Sequence, residues 1–124
     1  MKGINASPSM GAFLMELMHA RTNAHVLHLR TKSYAQHVAL GDFYSGIGDN
    51  ADSIAEAYQG RYGILEYPAL PYKPESDPIM LVRSLRRYVD ENRMALCHES
   101  EIQNLIDEAV ALMDSTLYKL ENLS

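Results

Sequence analysis

The chain contains no tryptophan, a single cysteine and no stretch approaching the roughly 20 consecutive apolar residues that a bilayer span requires. With Cys97 alone, neither an intrachain disulfide nor a multi-cysteine zinc framework can form, which suits a reducing compartment. Basic residues are also scarce. Eleven Lys and Arg stand against 16 Asp and Glu, giving a net charge of −5, and only Lys2 precedes Arg21. This balance argues against DNA coating and against an anionic membrane surface, and it suits a binder of cations. No basic region followed by a clean apolar stretch opens the chain, and no repeat or low-complexity tract interrupts it. What is there is 124 residues with 47% hydrophobic content, enough for one packed core and too little for two ordinary domains. The expectation is one soluble, cytoplasmic domain spanning 1–124.

Apolar periodicity then divides the chain. Ser7-Pro8-Ser9 offers a cap and a first-turn proline, and Phe13, Leu17, Ala20, Ala24 and Leu27 follow at steps of three and four, predicting a helix over about 8–29. Ser33 with Gln36 forms a capping-box pattern that starts a second helix over about 34–59. Leu40, Phe43, Ile47, Ala51, Ile54 and Tyr58 make its stripe, and Gly60 is its expected stop. Gly41, Gly46 and Gly48 each cost about 1 kcal/mol in a helix interior, so a break between Ser45 and Asp49 competes with a continuous helix. Residues 61–77 carry Pro68, Pro71 and Pro74 and predict an extended crossover. Asp77-Pro78 opens a third helix over about 78–92, with Leu81, Leu85, Tyr88 and Val89 apolar. Ser100 and Gln103 form another capping box, and Ile102, Leu105, Ile106, Ala109, Met113, Leu117 and Leu120 mark a fourth helix over about 101–121. Short, long and short connections favour an all-α four-helix bundle running up-down-down-up, the ferritin-like arrangement.

Four residues of ligand type share a pattern. Asp52 and Glu56 are four apart, so both face the same way and can reach one cation. His37 precedes Asp52 by fifteen residues and points roughly the same way, and His25 lies across the short turn. In a continuous helix about 22 Å would separate His37 from Asp52, so one chain cannot close the site. Two copies packed antiparallel about a two-fold near Tyr44-Ser45 would set His37 of one opposite Asp52 of the other. Gly41 and Gly48 lie on that face and would allow the two helices to approach.

These residues resemble the Dps proteins, the mini-ferritins, over about residues 25–60. That family carries a His on its first helix, a second His twelve later, an Asp fifteen further and a Glu four beyond, the intervals of His25, His37, Asp52 and Glu56. The run DSIAEAYQG over residues 52–60 is similar to the family's Asp-x-x-Ala-Glu signature, whereas Val26-Leu27 stand where the family has Trp-Asn. The resemblance implies that His25 and His37 of one subunit join Asp52 and Glu56 of its mate to bind non-haem iron, with zinc a possible substitute. It further implies Fe(II) oxidation by peroxide or oxygen, and sequestration in a homo-oligomer that is at least a dimer and could be a larger shell. The alternative reading is a helical-bundle interaction protein without ferroxidase activity, engaging a protein partner.

The remaining candidates have plainer readings. His28 reads as a surface or interface histidine, Cys97-His98 as an incidental loop pair, and Arg83, Arg86 and Arg87 as neutralising an acidic surface. Glu16-Leu17-Met18-His19 matches the Glu-x-x-His of di-iron bundles, but an intrachain site needs two such motifs and only one occurs. Tyr58, Tyr62, Tyr67 and Tyr72 are expected to pack the crossover against the bundle, and Tyr44 to pack at the two-fold.

Overall fold

The computed structural model describes residues 9–124, and within them the chain forms four helices and no strand. They are α1 (Met10–Arg30), α2 (Tyr34–Tyr62), α3 (Pro78–Leu96) and α4 (Ser100–Asn122). The all-α four-helix expectation holds. The predicted cap at Ser7-Pro8 lies outside the described residues, and Ser9 caps α1 by accepting from the Ala12 amide at 3.1 Å. Ser33 and Asp77 cap α2 and α3 as expected, accepting from the amides of Gln36 and Ile79.

Three boundaries differ from the sequence expectation, each for a local reason. α2 continues through Gly60 and ends at Gly63, whose φ of +94° is the left-handed conformation that glycine adopts cheaply. α3 continues to Leu96, a turn beyond Asn92. The capping box expected at Ser100 does not form, because the Gln103 side chain instead donates from Nε2 to the carbonyls of Arg93 and Cys97, capping the end of α3.

Ion pairs and packing give the helix directions. Lys119 lies near Asp42, Arg86 bonds Asp114 and Arg93 bonds Asp107, so α4 runs antiparallel to both α2 and α3. The short α1–α2 turn makes that pair antiparallel, and the stacking of Phe13 on Tyr88 places the start of α1 beside the middle of α3. Each helix packs on two neighbours, with α1 diagonal to α4 and α2 diagonal to α3. The resulting order is up-down-down-up. Phe13, Leu14, Leu17, Leu40, Phe43, Ile47, Ile54, Val82, Val89, Ile102, Ile106 and Met113 fill the centre and are fully buried, so the predicted stripes do face inward.

The glycines of α2 serve this packing, and the helix does not break at them. A Cβ at Gly41 would sit 3.0 Å from the His28 ring, one at Gly48 would sit 2.8 Å from Arg21, and one at Gly46 would sit 2.7 Å from Leu112 of α4. The close approach assigned above to a second copy of the chain is therefore taken up by α1 and α4 of the same chain. The helix cost of each glycine is offset by contact with its own bundle.

Candidate functional site

The four residues of the Dps-like pattern do not converge within one chain. His25 is exposed and stacks on Tyr44, with ring centroids 4.1 Å apart and planes inclined by 12°. His37 stacks on His28 at 3.7 Å. Their Nδ1 atoms lie within hydrogen-bond distance of each other's backbone carbonyls, at 2.6 and 2.8 Å, and since a carbonyl only accepts, each Nδ1 carries the proton. This reciprocal pair ties the end of α1 to the start of α2. Asp52 and Glu56 are exposed farther down the continuous α2, roughly 22 Å from His37 by helix rise. Among the described residues no group of three or more His, Cys, Asp or Glu side chains is placed to hold a metal ion. Within one chain the four side chains therefore share no position where a single ion could meet them all.

The base of the bundle holds a second polar cluster. The Tyr62 hydroxyl donates to the Glu99 carboxylate, and Arg61 Nε lies 3.2 Å from the same oxygen. The Tyr62 hydrogen bond is the main reason that the Glu99 carboxyl lies below the usual range, and the Arg61 charge adds to it. The same bond raises the Tyr62 phenol. Nearby Cys97 is buried, and burial pushes its thiol up, opposite to what an activated nucleophile needs. Arg83 pairs with Glu121, and Arg86 pairs with Asp90 and Asp114, in keeping with a charge-balancing role for that patch.

A cavity of about 480 Å³ lies where sequence spacing did not point, between α1, α3 and the segment joining α2 to α3. Both helical walls use the spacing i, i+3, i+4, i+7, which puts four side chains on one face. α1 contributes Glu16, His19, Ala20 and Asn23, and α3 contributes Leu81, Ser84, Leu85 and Tyr88. Residues 70–73 and Glu75 close the third side. The buried Asn23 side chain holds that segment in place, donating from Nδ2 to the Glu75 carbonyl at 3.0 Å and accepting from the Glu75 amide at 2.8 Å. At the other end Gly11 lies so close to the segment that a Cβ would fall 1.9 Å from the Glu66 carbonyl oxygen. Three prolines keep residues 68–74 out of helix, so the segment lies along α1 and leaves an open trough.

The trough has an apolar floor and polar walls. Tyr72 meets His19 edge to face at 5.5 Å. Tyr88 is half-buried, and its phenol is pushed up to about 12, first by burial and then by the negative charge of Glu16. None of the ion pairs among the described residues involves Glu16. The Glu-x-x-His motif, of little account as half of a di-iron site, supplies two of the polar groups of the trough. Asn23 and the residue facing it, fifty-two positions away, leave no sequence signal that could pair them.

A model described as a family of unknown function, DUF5856, matches residues 28–120. An uncharacterized 14.6 kDa protein from the mobD-ri intergenic region of Enterobacteria phage T4 is 29% identical over 109 residues, covering 87% of this chain and 84% of its own length. No solved structure gives a significant match. These findings overturn the resemblance to the Dps family. The matched stretch also begins three residues after His25, so the four-residue pattern is not contained in it.

Proposed function

The chain belongs to the DUF5856 family, and on its geometry we propose that it is a binding module whose ligand occupies the trough between α1, α3 and residues 63–77. One observation carries the proposal: a 480 Å³ concavity, within the size range of small-molecule sites, whose walls combine apolar side chains with a few convergent polar ones. The bonds of Asn23 to Glu75 support it, since they fix the third wall before any ligand arrives and lower the ordering cost of binding. A small-molecule library titrated into the labelled full chain, followed by amide chemical shifts, tests this. Hits are expected to move the resonances of residues 16–23, 70–75 and 81–88, and Ser84→Trp, which fills the trough from an exposed position, is expected to abolish those shifts. Hits that cluster on another face, or that survive Ser84→Trp unchanged, would overturn the proposal.

A second reading has its own observation. Val26, Leu29, Tyr34 and Val38 are exposed together at the α1–α2 turn, with Leu29 69% and Tyr34 81% accessible. An apolar tip of this kind suits engagement of a protein partner. Under this reading Leu29→Glu with Tyr34→Glu removes partner binding while leaving the thermal midpoint unchanged.

A further inference from the structure

Resting on the proposed trough, we infer that its ligand class is a small organic cation, with an ammonium group held at Glu16 and an apolar or aromatic body lying over Ala20, Leu81 and Leu85. The charge inventory points this way. Two carboxylates, Glu16 and Glu75, line the trough against one lysine, Lys73, which sits on the exposed segment. Glu75 is already engaged, its Oε2 accepting from the Asp77 amide at 3.0 Å. Glu16 is half-buried and outside every ion pair among the described residues, so its carboxylate is free to take a cationic partner.

The surroundings of Glu16 suit an ammonium group better than a metal ion. Its neighbours in the trough are His19, Tyr72 and Tyr88, and aromatic faces attract organic cations. The Tyr88 phenol keeps its proton through neutral pH, and its oxygen can accept from an ammonium N–H. The apolar floor offers a metal ion no ligands and receives a hydrocarbon body. Both features fit an arylalkyl amine.

Three probes of equal shape test the assignment on the full chain: phenethylamine, phenethyl alcohol and phenylacetate, titrated with amide chemical shifts as readout. Phenethylamine is expected to bind in the trough most tightly and phenylacetate most weakly. Glu16→Gln is expected to weaken the amine about tenfold or more and leave the alcohol unchanged, the loss of one charge-assisted hydrogen bond. Glu16→Asp, which keeps the charge on a shorter arm, should recover part of the affinity, and unchanged thermal melts of both variants exclude misfolding as the cause. If the alcohol or phenylacetate matches the amine within the trough, or if Glu16→Gln leaves the amine unaffected, the cation assignment falls and the trough stands. If all three probes shift resonances only elsewhere, the trough itself falls.

Discussion

Single side chains in this bundle act through what they leave room for as much as through what they touch. Gly11 and Gly60 illustrate the contrast. A Cβ at Gly11 collides with the Glu66 carbonyl, a backbone atom that cannot step aside, whereas a Cβ at Gly60 meets nothing within 4 Å. Gly11→Ala is expected to destabilise the protein by about 1–3 kcal/mol and to loosen residues 63–77, the overpacking cost outweighing the better helix propensity of alanine. Gly60→Ala lies in a helix in open space and is expected to stabilise by up to about 1 kcal/mol. Urea unfolding of the two variants checks both signs. Gly48 is the intermediate case, because the atoms in the way belong to the flexible Arg21 side chain and can move.

Among the elements, the segment joining α2 to α3 is the one on which the trough depends. It makes no helical or sheet hydrogen bonds of its own, and it is attached through the Asn23–Glu75 pair, the contact at Gly11, the edge-to-face contact of Tyr72 with His19, and two bonds to the Gln59 side chain, from the Leu65 amide at 3.1 Å and the Tyr67 hydroxyl at 2.7 Å. Asn23→Ala removes both bonds to the half-buried Glu75 backbone, at a cost of about 1 kcal/mol or somewhat more. The expected result is faster amide exchange from residue 70 to residue 77, with little change in the cores of α2 and α4. Uniform acceleration across all four helices would show that Asn23 supports the whole bundle and not this wall alone.

For the molecule as a whole, stability against pH reports the polar clusters at its two faces. Glu99 has a depressed folded pKa, so its contribution is present above the ordinary glutamate range and is lost as pH falls through the folded value. Tyr88 has a raised one, so its contribution is present below about pH 10, the ordinary tyrosine value, and is lost as pH rises toward about 12. Denaturation midpoints across pH are expected to fall at both ends. Glu99→Gln should flatten the acid limb and Tyr88→Phe the alkaline limb, with Tyr62 and Cys97, whose phenol and thiol are also raised, accounting for part of the latter. No helix among the described residues is long and apolar enough to cross a membrane.

The amino-acid sequence determined the four helices and the faces they bury. Apolar steps of three and four over Phe13 to Leu27, Leu40 to Tyr58 and Ile102 to Leu120, with Ser33 and Asp77 as caps, are local signals that helix geometry converts directly into a core. The continuity of α2 through three glycines was not legible, because the neighbours that fill those gaps, His28, Arg21 and Leu112, come from other parts of the chain. The candidate site was illegible for the same reason. His25 lies on α1 and His37, Asp52 and Glu56 lie on α2, where their spacing alone could not say whether they meet, while the trough arises from Glu16, Asn23, Glu75 and Tyr88, which only the packing of α1, α3 and residues 63–77 brings together.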